Sequence, residues 1–112
     1  MPASYTERGG QFWIACGERG EVLGTAGMYW LSPTMFELRK MYLDARMRGH
    51  RVGTRLLEAA IAWAKAQGGT RVVLDTTDEM TSAIAFYERH GFVRDDAQIR
   101  GARCSRGYAR PL

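Results

Sequence analysis

The chain has 112 residues, of which 46% are hydrophobic and 25% charged, and its net charge is +4. That is the composition of one small globular domain, with no apolar run near the roughly 20 residues that span a membrane. No basic stretch leads into an apolar core at the N-terminus, so no secretory leader is read there. The two cysteines, Cys16 and Cys104, form neither a disulfide framework nor a metal site by spacing. Free thiols in a cytoplasmic protein are expected.

In chain order, residues 1–10 end in Gly9-Gly10 and read as poorly ordered or loosely attached. Residues 11–16 put Phe12, Ile14 and Cys16 at alternate positions, a strand signal. Gly17 to Gly20 turns the chain, residues 22–31 return as a second strand of a hairpin, Ser32-Pro33-Thr34 turns again, and residues 36–43 read as a third strand. Over 52–66, Val52, Leu56, Ala59, Ala60 and Trp63 make a helical stripe, stopped by Gly68-Gly69. Residues 71–76 are a strand with Val72-Val73-Leu74 at its centre, 81–90 a second helix closed by Gly91, and 92–95 and 103–109 two final strands. Antiparallel strands followed by a strand-helix-strand unit predict a mixed sheet.

The segment Arg46-Met47-Arg48-Gly49-His50-Arg51-Val52-Gly53-Thr54-Arg55-Leu56-Leu57 joins the third strand to the first helix. It holds two glycines and four arginines and no acid. Free backbone N–H groups at a helix start, close approach at glycine and surrounding positive charge suit a phosphate. A plain turn is the alternative. The cluster surrounds one loop and is not a broad basic stripe, so a compact polyanion fits it better than nucleic acid. Arg100, Arg103, Arg106 and Arg110 read as a solvated edge.

Residues Glu37-Leu38-Arg39-Lys40-Met41-Tyr42-Leu43, then Arg48-Gly49-His50-Arg51-Val52-Gly53, then Leu56-Leu57, resemble the acetyl-CoA signature of the GNAT superfamily of N-acetyltransferases. The later Ala83-Ile84-Ala85-Phe86-Tyr87-Glu88-Arg89-His90-Gly91-Phe92 resembles the second hallmark of that family. Two motifs in order, with one helix and one strand between them, are far more specific than either alone. The resemblance covers residues 11–95 and implies an α/β fold of α+β type: a GNAT-like, strongly twisted mixed sheet flanked by helices, as one domain over 1–112. It departs at Arg51, where the signature carries a glycine, and at Met80, where the second hallmark often carries asparagine. The family's opening strand and two helices also lack a counterpart, which reads as an N-terminally shortened or minimal member.

The resemblance further implies acetyl-CoA as co-substrate, no metal, and direct acetyl transfer to a small-molecule or peptide amine. A non-catalytic acyl-CoA sensor is the alternative. Pantetheine would lie along Met41, Tyr42 and Leu43, and the pyrophosphate on the N–H groups of Arg48, Gly49, His50, Arg51, Val52, Gly53 and Thr54. Tyr87 matches the family tyrosine that protonates the leaving thiolate, although the pattern alone reads it as packing beside Ala83 and Ile84. Glu37 matches a position where some members carry a base; a strand-end carboxylate facing water is the alternative. His50 reads equally as a phosphate donor or a surface histidine, and His90 as a cation suited to a helix C-terminus. Trp30 is a residue that could face the acceptor. No nucleic-acid or membrane partner is implied. The family normally sets the two helices on opposite faces. With the front helices missing, Phe12, Trp13, Ile14, Met28 and Trp30 are expected to be under-covered and to drive a homodimer.

Overall fold

The computed structural model describes all residues except Met1, Arg8, Arg48 and Gly49, and for residues 2–7 the backbone alone. Four strands form an antiparallel meander: β1 (Pro2–Glu7), β2 (Gly10–Cys16), β3 (Val22–Trp30) and β4 (Met35–Leu43). Then come α1 (Val52–Ala66), β5 (Arg71–Thr76), α2 (Thr81–Arg89), β6 (Val93–Arg94) and β7 (Arg106–Pro111). The sheet order is β1-β2-β3-β4-β5-β7-β6, with β4 and β5 parallel and their neighbours antiparallel. This is the mixed sheet that the element order predicts.

Residues 2–7 pair with β2 from Pro2 opposite Ala15 to Glu7 opposite Gly10. Gly9, at φ 78°, makes the turn in the left-handed region that glycine enters without steric cost. Gly9 is therefore at the bend of a hairpin, and Gly10 is the first residue of β2.

Both helices lie on one face, which corrects the expectation of opposite faces. Side chains alternate across a strand. Val72 and Leu74 of β5 and Tyr108 of β7 join one buried cluster with Leu56, Leu57, Ala60 and Ala64 of α1 and with Ile84 and Tyr87 of α2. The Tyr108 hydroxyl donates to Glu88 at 2.9 Å and so fastens α2 over β7. α1 covers β2 to β4 on the same face, where Trp13 and Met28 are buried. Trp63 meets Trp13 at 5.8 Å, Trp30 at 5.0 Å and Phe36 at 5.5 Å in edge-on contacts. The chain's own helix thus covers two of the five residues expected to lack cover. Trp30 belongs to this aromatic cluster at the start of β4, away from the strand's C-terminal end. The opposite face is covered over β5 and β7 by the segment around Gln98, whose Cβ lies 3.2 Å from where a Cβ on Gly107 would sit.

One irregularity shapes the site. Lys40 has φ 55°, and the register with β3 slips there, so β4 carries one extra residue. The Thr25 hydroxyl donates to the Lys40 carbonyl at 2.6 Å and holds the bulge. β4 and β5 pair only over Met35–Glu37 and 71–73, and beyond that the two parallel strands part.

Candidate active site

The parting of β4 from β5 leaves backbone groups of residues 38–43 without a β5 partner and opens a cleft of about 590 Å³. Met41, Tyr42 and Leu43 line one side of it. Arg51, Gly53 and Thr54 line the helix-start end, and Met80, Phe86, Tyr87 and Arg89 of α2 and its approach line the far wall. The sequence-predicted residues Met41, Tyr42, Leu43, Arg51, Gly53, Thr54 and Tyr87 therefore meet in one place. Arg48 and Gly49 lie outside the described residues. His50 is exposed, and its backbone N–H donates to Met47 rather than into the cleft wall. The Val52 side chain packs on the core.

The start of α1 has the features of an anion seat. Its first-turn N–H groups have no intrahelical acceptor, no side chain caps them, and no acid lies in the first turn. Gly53 is buried: a Cβ there would come within 3.3 Å of Phe86, so this glycine lets α1 and α2 pack closely. Arg51 has φ 62°, the left-handed conformation in which the signature's glycine is free of strain. The charge is less concentrated than the sequence implies. Arg46 is held by Asp44, two positions upstream of the cluster, through two contacts of 3.0 Å. Arg89, which sequence reading missed, adds a guanidinium to the cleft from the last turn of α2. Its basic side chain near a helix C-terminus carried no signal beyond the dipole rule.

Tyr87 is 8% exposed, with its ring edge-on to Phe86 at 5.8 Å and Phe92 at 5.7 Å. Burial pushes its phenol up to about 12, so the proton stays on oxygen throughout the neutral range. Packing and lining the cleft are both true of this residue. Its hydroxyl makes no hydrogen bond to another described residue.

Glu37 occupies the other side of the sheet. Its neighbours Phe36 and Leu38 belong to the helix-covered core, so by alternation its carboxyl is on the opposite face, at the last paired position before the strands part. The residue is 8% exposed, not the water-facing carboxylate of the alternative reading. Burial raises its pKa above the usual carboxylate value, against the lowering effect of Arg39 and Arg100. Asp75, nearby on β5, is spent on the loop: it accepts from the Arg100 and Gly101 N–H groups, each at 2.7 Å. Asp78 pairs with Arg106 at 2.5 Å. Among the described residues no group of three or more His, Cys, Asp or Glu is placed to hold a metal. No helix among them is long and apolar enough to cross a membrane.

The profile of the acetyltransferase (GNAT) family matches residues 2–92. This chain belongs to the GNAT family. It is 35% identical over 95 residues to YjgM of Escherichia coli, an uncharacterized N-acetyltransferase, covering 82% of this chain and 56% of that one. The chain thus spans about half the length of that relative. A GNAT acetyltransferase from Staphylococcus aureus Mu50 superposes with TM-score 0.87 at 32% identity, over 93% of this chain and 69% of that structure. A GNAT acetyltransferase from Elizabethkingia anophelis, solved with acetyl-CoA bound, shares the fold at TM-score 0.77 and 18% identity, over 94% of this chain and 78% of that one. The backbone of β4 left unpaired with β5 beyond Glu37 and the uncapped start of α1 are compatible with CoA, an extended arm that ends in phosphates.

Proposed function

We propose that this chain is an N-acetyltransferase that moves acetyl from acetyl-CoA directly to a primary amine in a ternary complex. The observation that carries the reading is the parting of β4 and β5 after Glu37, with Tyr87 on the cleft wall and Glu37 on the opposite face. An extended pantetheine arm would hydrogen-bond to backbone groups of residues 41–43. The pyrophosphate would rest on the start of α1, aided by Arg51 and Arg89. Arg48, Gly49 and His50 belong to the same phosphate loop in this reading.

Acetyl-CoA supplies an activated thioester. The amine nitrogen attacks its carbonyl carbon, the C–N bond forms, and the C–S bond breaks. The proton lost by the amine goes to Glu37 or to water held by it, and Tyr87 donates one to the departing sulfur. Both groups return to their starting state through solvent. A thiol with a pKa of about 8.5 is a good leaving group. A phenol that never ionises near neutrality is always in the donating form, and a carboxyl with a raised pKa is a stronger base than an ordinary one. The same reading has the protein act in the cytoplasm. It also has it form a homodimer, for which exposed Trp30 and Leu31 at and just past the end of β3 are one apolar patch, with Val22 and Val93 exposed as well.

Thiol release from acetyl-CoA against a panel of amines tests the proposal. Amine-dependent release is expected. Tight CoA binding with no release by any amine would leave the sensor reading in its place.

A further inference from the structure

The face opposite the helices carries charged groups whose partners differ in completeness. Asp75 is satisfied by two backbone N–H groups. The Arg100 guanidinium donates to the Gln98 carbonyl at 2.9 Å and to Gln98 Oε1 at 3.3 Å. Glu37 and Arg39 are different. The Glu37 side chain is only 10% exposed, yet among the described residues nothing donates a hydrogen bond to it. Its nearest cation is Arg39, whose Nε is 3.7 Å from Oε1, beyond hydrogen-bond length. A buried carboxylate normally has its acceptor sites filled. Arg39 in turn is 57% exposed, donates no hydrogen bond to a described residue, and lies over the Tyr29 ring at 5.4 Å. The bulge at Lys40 turns that residue toward the same face, with its ammonium 5.5 Å from the same ring. Two cations therefore share one aromatic platform beside one under-used carboxylate.

We propose that the acceptor is a short amine that also carries an anionic group, with its nitrogen at Glu37 and its anion on the exposed guanidinium of Arg39. The inference rests on the acetyltransferase reading and adds the chemical class of the substrate. The two groups are already close, with Arg39 Nε 3.7 Å from Glu37 Oε1, so a nitrogen and an anion held one on each must be close in the ligand too, with only one or two carbon atoms between them. That is the size of an α- or β-amino carboxylate. Arg39 suits the anion because its planar fork matches a carboxylate in two-point contact, and the ring beneath fixes its plane.

The test compares kcat/KM in matched sets: leucine, phenylalanine and glutamate, each with its amide and its decarboxylated amine. In at least one set the wild-type protein is expected to favour the acid by tenfold or more over both analogues. Arg39→Gln should collapse that ratio to within threefold, and Arg39→Lys should restore part of it. A ratio, unlike a rate, is not moved by a general loss of activity or fold. Equal or better use of the decarboxylated amines, or a ratio unchanged in Arg39→Gln, overturns this inference alone. If no amine of any kind releases thiol, the acetyltransferase reading falls and this inference with it.

Discussion

His90 Nε2 lies 3.0 Å from Thr54 Oγ1, tying the end of α2 to the first turn of α1. The other ring nitrogen, Nδ1, is 2.7 Å from the Phe86 carbonyl, which only accepts. Nδ1 therefore carries a hydrogen, and in the neutral ring Nε2 accepts from the threonine hydroxyl. The link joins the end of the cleft at the start of α1 to the helix that bears Tyr87. Thr54→Val and His90→Ala should each cost about 1 kcal/mol from this bond. In a double-mutant cycle by urea unfolding, the pair should show a coupling of similar size. Strict additivity would mean that the contact has no energetic role.

Met80 occupies the N-cap of α2 and makes no side-chain cap. It is also 52% exposed, so its apolar body is not needed in the core. Asparagine there accepts from the N–H groups of Ser82 or Ala83. Met80→Asn should add about 1 kcal/mol of stability, seen as a rise of roughly 4 °C in melting temperature. A lower melting temperature would show that Met80 packs more than its exposure implies.

Arg51 combines a backbone strain with a useful charge. A non-glycine residue at φ 62° costs about 1 kcal/mol. Arg51→Gly should recover most of it, while removing a guanidinium from the cleft should weaken CoA binding about tenfold. Thermal melts without ligand and titration with CoA separate the two effects. A variant that is both less stable and binds CoA as tightly would refute the account of this position.

The sequence showed α1 and β5 well because their signals are local. Val52, Leu56, Ala60 and Trp63 repeat at helical spacing before Gly68-Gly69, and Val72-Val73-Leu74 is a short apolar run. β1 was hidden because Pro2-Ala3-Ser4-Tyr5-Thr6-Glu7 has only Ala3 and Tyr5 as alternating apolar residues, and its pairing with β2 needs the folded geometry. The bulge at Lys40 involves no glycine or proline and depends on Thr25 in the neighbouring strand. The face taken by α2 depends on Tyr108 and Phe92, both later in the chain. The cleft was readable as two motifs. The burial of Glu37, the neutralisation of Arg46 by Asp44 and the His90–Thr54 link were not, since each needs the folded geometry.

Glu37→Gln should reduce activity and raise stability together. Burial raises the Glu37 pKa, so the folded state holds that proton more tightly than the unfolded one. The charged form thus opposes folding above the folded pKa, and this penalty is relieved as pH falls through it. A neutral amide of the same shape escapes the penalty at all pH values. The melting temperature at pH 7 should be at or above that of wild type, and the acidic limb of the rate profile should flatten. A normal acidic limb in the variant would remove Glu37 from the proton path.

Tyr87→Phe separates chemistry from packing. The ring remains against Phe86 and Phe92 and only the hydroxyl is lost, so CoA affinity should stay within twofold of wild type. Single-turnover acetyl transfer should slow by about 10²-fold or more, the usual effect of losing a general acid. Stability supplies a second readout. The folded phenol titrates at about 12, above its ordinary value of 10.0. Below that ordinary value both states hold the proton and Tyr87 adds no pH dependence. As pH rises from there to about 12 the unfolded chain releases it first, and wild type should lose on the order of 2 kcal/mol. Tyr87→Phe should lack that alkaline loss. If the variant transfers acetyl at the wild-type rate while losing the alkaline dependence, Tyr87 is a buried packing residue and sulfur takes its proton from elsewhere.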